Sequence, residues 1–277
     1  MTEALTAALG RYPETEALHA GQVAGPLALD LVAMPQITRA FAPMVRSGAY
    51  HVSEMAIATF LMAKARGRPL VLLPVVLSAR FQERALLTRA AGPIRGPADL
   101  AGATIAVRAW SQTTGMWLRG ILADLHGVRH ADQSWITFEG AHVDGFQDPP
   151  WVRCAAPGEE LAALVASGAA DAGIFGLELP AGGLLRPVFP DLDAAGTAFQ
   201  ARYGFVPVNH LVVMRADVAH QAPAVVAMLR AAGARVESRA ALAPAMLLAI
   251  RYCREQGLIE GDLTLDQLWE GLSPEIA

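Results

Sequence analysis

The sequence predicts an α/β protein with a largely parallel sheet. Strand-like apolar runs and helix-like stretches alternate along most of the chain, which is typical of parallel strands connected by helices. Hydrophobic residues make up 53% of the 277 positions and charged residues only 17%, which is ample for a sheet buried on both faces. This length accommodates one large domain or two of ordinary size.

The first part of the chain predicts strands over residues 5–9, 27–34 and 70–77 and a helix over 36–46. Ser53 fits the N-cap of a second helix over 54–66, which Gly67 would end. Pro74 lies inside the third strand and places it at a sheet edge or at a bend, because proline cannot donate a ladder hydrogen bond.

The rest of the chain continues the alternation. A short helix over 97–102 precedes a strand over 104–107, and Gly127 stops a helix over 113–126. Further strands are predicted over 135–138, 171–175 and 205–214, and further helices over 159–167 and 223–248. A break of the last helix at Pro244 is left open.

Charge and hydropathy exclude several classes of partner. The net charge is −4, and no basic stripe is present that would neutralise the phosphates of nucleic acid. The apolar runs near 69–79 and 240–250 are too short and too broken by proline to span a membrane. Glu3 stands where a signal peptide would carry a basic residue, so a cytoplasmic location is expected. Cys154 and Cys253 are expected as free thiols, with a disulfide left open, and a homodimer is left open as well.

In open α/β sheets, ligands bind beyond the carboxyl ends of the strands, where loops and helix N-termini converge. This rule selects seven candidate segments: residues 10–15, 53–55, 78–84, 108–114, 139–144, 175–178 and 209–210. Several of them carry ionisable groups of opposite sign, which suits an acid–base site for a carboxylate.

Six motifs are spread over most of the chain: GRYPET at 10–15, HVSEMAIATFL at 51–61, MWLRGIL at 116–122, VFPDL at 188–192, YGFVPVNH at 203–210 and YCREQGL at 252–258. Together they resemble the 4,5-dihydroxyphthalate decarboxylase family. The resemblance implies the two-lobed fold of type II periplasmic binding proteins, with a ligand cleft between the lobes. Lobe 1 would comprise residues 1–95 and 206–277, and lobe 2 residues 96–205.

The chain also departs from that family's pattern. Glu83 stands at the position of a family histidine. Ala109 stands at the position of a family glutamate, and this chain gains an arginine, Arg108, directly before it. A few tens of residues are missing before Tyr252. The resemblance therefore implies the fold more firmly than the substrate.

Position and resemblance together select the candidate site residues. His210 and Glu54 form the candidate catalytic pair, because decarboxylation needs two groups with separated pKa values. Arg80 and Arg108 are candidate carboxylate clamps, whereas Arg119 is expected in a salt bridge at the surface or between lobes. The other candidate substrate-binding residues are Tyr12, Ser53, Met55, Phe81, Trp110, Ser111, Gln112, Thr113, Glu139 and Asn209.

Each role has a structural alternative. His210 could be a satisfied core histidine, and Glu54 could favour the helix dipole. Phe81 and Trp110 could stack on an aromatic ring or simply pack in the core. The histidines show no metal-binding spacing, although His142 near Asp144 leaves a weak exception.

The predicted activity is a cofactor-independent decarboxylation of a small hydroxylated aromatic or cyclic carboxylic acid, with no metal and no nucleotide. The partner is a small anionic carboxylate. Two alternatives stay open, since fold does not fix function. One is a solute-binding protein or ligand sensor, and the other is a dehydratase on the same fold.

Overall fold

The computed structural model describes residues 4–177, 179–273 and 276 as an α/β fold with two six-stranded sheets. The strands are β1 (Leu5–Ala8), β2 (Leu29–Leu31), β3 (Val52–Ala56), β4 (Leu70–Ala79), β5 (Leu86–Arg89), β6 (Thr104–Val107), β7 (Ser134–Thr137), β8 (Val152–Cys154), β9 (Ala172–Ile174), β10 (Leu185–Pro187), β11 (Val208–Arg215) and β12 (Arg235–Val236). The helices are α1 (Pro13–His19), α2 (Phe41–Ser47), α3 (Ile57–Ala65), α4 (Thr113–His126), α5 (Leu161–Ser167), α6 (Leu192–Tyr203), α7 (Ala222–Ala232), α8 (Arg239–Glu255) and α9 (Leu265–Leu268).

The first sheet has the strand order β12-β4-β11-β3-β1-β2. Strands β1, β2 and β3 run parallel, and β11 is antiparallel to both of its neighbours, β3 and β4. The amino end of β11 therefore lies at the same edge as the carboxyl ends of β1, β3 and β4. This arrangement brings His210 to the edge at which an α/β sheet binds ligands.

The second sheet has the order β10-β5-β9-β6-β7-β8, with β6, β7, β8 and β9 parallel. Strand β5 pairs with β9 and β10 in this sheet. Residues 86–89 were expected in the first lobe. The chain instead passes from the first sheet to the second between β4 and β5, earlier than expected. Strand β11 returns the chain to the first sheet.

The predicted helix over 54–66 is partly wrong, because β3 occupies Val52–Ala56 and α3 begins only at Ile57. Ser53 is not an N-cap, and its hydroxyl instead donates to the Glu54 carbonyl oxygen. Strand β3 lies between β1 and β11, and all five of its residues are buried. Ladder hydrogen bonds on both sides outweigh the local capping preference here.

The predicted helix over 223–248 is interrupted at Gly233 rather than at Pro244. Gly233 has a φ of 103°, a left-handed conformation that ends α7 and turns the chain into β12. Helix α8 then runs through Pro244. Pro74 marks a bend, since β4 pairs on both sides and its register against β11 shifts between Leu73 and Val76.

Besides β3, three helices (α1, α6 and α9) and four strands (β5, β8, β10 and β12) were not predicted. Helix α1 replaces part of the expected loop at 10–15, and α6 precedes the return to the first sheet; β8, β10 and β12 are strands of only two or three residues. Cys154 and Cys253 are free thiols. In the described part of the chain, no helix is long and apolar enough to cross a membrane.

Helix α4 packs closely against α8 at Gly120. A Cβ atom added there would overlap the buried Tyr252 ring. We expect Gly120→Ala to lower the free energy of unfolding by about 1–3 kcal/mol in urea denaturation, because overpacking exceeds the gain in helix propensity. The exposed Gly140 has nothing within 4 Å of an added Cβ atom, so Gly140→Ala is the control. An equal, small change in both variants would contradict the packing argument.

Candidate functional site

The ligand-binding edges of the two sheets enclose a cavity of about 1090 Å³. The first sheet contributes the residues that follow β1, β2 and β4 and those that begin β11. The second sheet contributes the residues that follow β6, β7 and β9. The cavity thus lies where parallel strands end, as the architecture predicts.

Glu54 and His210 form a hydrogen-bonded pair beside this cavity. Val212 lies opposite Glu54 in the ladder between β3 and β11, and His210 lies two residues before Val212 on the same face. The Nδ1 atom of His210 is 2.6 Å from Oε1 of Glu54. With Glu54 as the acceptor of this hydrogen bond, the proton is assigned to Nδ1, and Nε2 is left for a ligand.

Glu54 is fully buried and is held by two further donors. The Gly10 amide donates to Oε2 at 2.9 Å, and the Tyr12 hydroxyl donates to Oε1 at 2.8 Å. Burial and the neighbouring Glu54 carboxylate raise the pKa of Tyr12 well above its usual range. Tyr12 therefore remains a hydrogen-bond donor. Glu54 is held in a fixed orientation, in which its carboxylate accepts the hydrogen bond from His210.

Removing the Tyr12 hydroxyl tests this network. We expect Tyr12→Phe to lower the free energy of unfolding by about 1.5–3 kcal/mol, since a buried carboxylate loses a charge-assisted hydrogen bond. Tyr50→Phe is the control, because Tyr50 packs against the core through its ring. Urea denaturation of both variants decides the matter, and equal stabilities would place Tyr12 outside the network.

Arg80 is a cation in the cavity without a carboxylate partner among the described residues. It follows β4, and its guanidinium donates to the hydroxyls of Ser78 at 3.4 Å and Thr114 at 3.2 Å. Burial lowers the pKa of Arg80, since hydroxyl groups do not compensate the charge. The amino end of α4 adjoins it, and Ser111, Gln112 and Thr113 line the cavity there. Arginine and a helix N-terminus together suit an anion.

Arg108 lies at the rim and already has a carboxylate partner. Its guanidinium is 3.2 Å from Glu139, and the two side chains are 38% and 52% exposed. Arg108 lines the cavity, but Glu139 does not. The pair is consequently a weaker candidate clamp than Arg80.

His142 also lines the cavity but was not among the predicted binding residues. Its Nδ1 atom is 3.3 Å from the Thr59 hydroxyl, and Phe41 makes edge contacts with both His142 and His210. Burial and the nearby guanidinium groups of Arg108 and Arg46 lower the pKa of His142 to about 4. The imidazole is thus neutral at neutral pH. Its position in a loop after a predicted strand was the available sequence signal.

Trp110 is not available to stack on a ligand. It is fully buried outside the cavity, and its Nε1 atom donates to the Gln256 carbonyl oxygen at 3.0 Å. The Arg119 guanidinium lies 3.8 Å from the Trp110 ring and donates to Gln256 and to the Trp110 carbonyl oxygen. Arg119 is buried rather than at the surface, and burial lowers its pKa to about 9.

Besides Glu54, Trp110 and Glu139, three other predicted residues lie outside the cavity lining. Ser53 and Met55 are buried in β3, and Phe81 packs against Phe199. The predicted residues that the structure brings together around the cavity are Tyr12, Arg80, Arg108, Ser111, Gln112, Thr113, Asn209 and His210. The described residues contain no cluster of three or more His, Cys, Asp or Glu side chains that could hold a metal ion.

Comparison with known proteins agrees with the fold described above and with the resemblance found in the sequence. No family model matches the chain. A 4,5-dihydroxyphthalate decarboxylase of Comamonas testosteroni is 26% identical over 242 residues, covering 79% of this chain and 70% of the relative. Among solved structures, the periplasmic aliphatic sulphonate binding protein SsuA from Escherichia coli has a TM-score of 0.53 at 14% identity. That match covers 99% of this chain and 80% of SsuA.

A desulfurization enzyme, DSZB, has a TM-score of 0.54 at 18% identity, with 99% of this chain and 97% of that chain covered. At such identities the structural matches establish the fold alone. The two-lobed fold resembling type II periplasmic binding proteins and the resemblance to 4,5-dihydroxyphthalate decarboxylases, both predicted from the sequence, are therefore confirmed.

Proposed function

We propose that this protein is a cofactor-independent decarboxylase of a small hydroxylated aromatic or cyclic carboxylic acid. The observation that carries the proposal is the hydrogen bond between the buried Glu54 and the half-buried His210, at a cavity that also holds Arg80. A protein that only captured an anion would need the arginine but not a histidine oriented by a buried carboxylate. The name of the curated relative supports the same reaction class.

The reaction replaces a carbon–carboxylate bond by a carbon–hydrogen bond. A hydroxyl para to the leaving carboxylate gives up its proton to a base and feeds electrons into the ring, and an acid protonates the ring carbon. The bond to the carboxylate then breaks, its electron pair restores the aromatic ring, and CO₂ leaves. The base then returns its proton to the product oxygen, so that one proton in total is consumed for each CO₂ released.

His210 is the group we assign to proton transfer at the ring carbon, through Nε2. Glu54 stabilises the imidazolium form and fixes the orientation of the ring. Arg80 would bind a carboxylate that remains on the product, because an arginine on the leaving carboxylate would stabilise the substrate more than the transition state. His142 stays neutral, so it can exchange a hydrogen bond with a substrate hydroxyl without adding charge.

The alternative that a structural observation favours is capture of an anion without chemistry. SsuA is a sulphonate-binding protein with the same fold, and Arg80 would suit such a ligand. The desulfurization enzyme is an enzyme of this fold, so the fold serves both classes. A dehydratase would share the acid–base pair but would release water. The cytoplasmic location and the homodimer stay predictions.

A product assay separates these functions. Purified protein is incubated with 4,5-dihydroxyphthalate and with dihydroxylated naphthalene dicarboxylates, which likewise keep one carboxylate after decarboxylation, and released CO₂ and remaining acid are quantified. We expect CO₂ in amounts equal to the acid consumed from at least one of them. Binding of these acids without CO₂ would contradict decarboxylation, and loss of water from a cyclic acid would indicate the dehydratase.

A further inference from the structure

The cavity is much larger than a one-ring acid requires. Its volume is about 1090 Å³, whereas a cavity of roughly 150 Å³ accommodates a benzene molecule. Pockets for drug-sized ligands span roughly 300–1,000 Å³. The cleft therefore has room for a ligand with a larger body.

The strand order spreads the polar and apolar groups along the cavity. Arg80 follows β4, His210 lies on β11, Tyr12 follows β1, and the segment from Leu31 onward follows β2 at the far edge of the sheet. Four inter-strand spacings separate β4 from β2, which amounts to about 19 Å at ~4.8 Å per strand. A single substituted ring bound at Arg80 and His210 would leave the β2 side of the cavity unfilled.

The side of the cavity that follows β2 is mostly apolar, with Gln36 and Thr38 as its polar members. Leu31, Met34 and Ile37 line it from the first sheet, and all three are half-buried. Phe175 and Leu177 line the cavity from the loop after β9, and the Leu177 side chain is 66% exposed. Large apolar side chains that face a ligand cavity from both sheets indicate an apolar part of the ligand.

We infer that the ligand is an aromatic carboxylate with two fused or linked rings, bound with a carboxylate at Arg80 and its second ring against the apolar wall of Leu31, Met34 and Ile37. This inference rests on the proposed function in one respect, namely that the cleft binds a carboxylic acid. The inference is tested by binding affinity, so its outcome is independent of whether the protein releases CO₂.

A matched ligand pair tests the inference in calorimetry. Phthalate and naphthalene-2,3-dicarboxylate carry the same two carboxylates and differ by one fused ring. We expect the naphthalene compound to bind at least tenfold more tightly, because its second ring buries additional apolar surface. Equal affinities, tighter binding of phthalate, or binding of neither compound would overturn the inference.

Two variants locate the second ring. Met34→Trp fills the apolar wall and should weaken naphthalene-2,3-dicarboxylate at least tenfold while phthalate stays within about threefold. Met34→Leu is the volume-matched control and should preserve both affinities. Leu177→Asn, at an exposed position of the opposite wall, should also weaken only the naphthalene compound, and it provides the test if Met34→Trp does not fold. A similar loss for both ligands, or for neither, would place the second ring elsewhere.

Discussion

Replacing His210 by asparagine should lower turnover about 100-fold or more while ligand affinity changes by less than about tenfold. The asparagine amide can still donate to Glu54 and pack beside Phe41, but it cannot transfer a proton. An acid–base group acts mainly in the transition state, so kcat should fall much more than binding. Initial rates and calorimetry on the same preparation measure both quantities.

His51 provides a matched control for this substitution. Its Nδ1 atom accepts a hydrogen bond from the Thr6 amide at 3.0 Å, and it does not line the cavity. We expect His51→Asn to reduce thermal stability and to leave turnover per folded molecule unchanged. If His210→Asn shows that same pattern, His210 is a structural histidine and its assigned catalytic role is wrong.

Replacing Arg80 by alanine should weaken binding of a carboxylate ligand by about 2–5 kcal/mol, as expected when one partner of a desolvated charge pair is removed. The fold should remain intact, because the partners of the guanidinium among the described residues are two hydroxyls. Arg80→Lys should recover part of the affinity, since lysine keeps the charge but lacks the bidentate geometry. Calorimetry with one ligand compares all three proteins.

Arg108 is the control for the clamp. The sequence predicts Arg108 as the first candidate clamp and Arg80 as the second, but the structure pairs Arg108 with Glu139 at the rim. We therefore expect Arg108→Ala to cost only about 0–1 kcal/mol in binding. A larger loss for Arg108→Ala than for Arg80→Ala would move the anion to the rim and contradict the assignment of Arg80.

Local sequence signals predicted much of the fold but not every boundary. Glycines that end helices placed the ends of α4 and α5 at Gly127 and Gly168, where the structure has them. The start of α3 was misplaced because Ser53 is a good N-cap by type. Pairing with β1 and β11 depends on residues about 45 and 160 positions away, and no local pattern reports it.

The candidate site was predicted in part for the same reason. The meeting of His210 with Glu54 follows from the motifs and from the rule on strand ends. Trp110 was misassigned because its environment is set by Arg119 and Gln256, which reach it from other parts of the chain. His142 was missed as a binding residue, because its position in the cavity depends on a contact with Thr59, which lies 83 residues away in the sequence.

The most direct test of an acid–base decarboxylation follows the proton and the carboxylate in one reaction. EDTA-treated protein is incubated in D₂O with carboxyl-¹³C-labelled dihydroxyphthalate and a dihydroxylated naphthalene dicarboxylate, and ¹³CO₂ and deuterium in the product are measured. We predict one deuterium at the vacated carbon for each ¹³CO₂ released, with both signals lost in His210→Asn. Saturable binding of either acid without ¹³CO₂, or deuterium incorporation that persists in His210→Asn, would contradict an acid–base decarboxylase centred on His210 and Glu54.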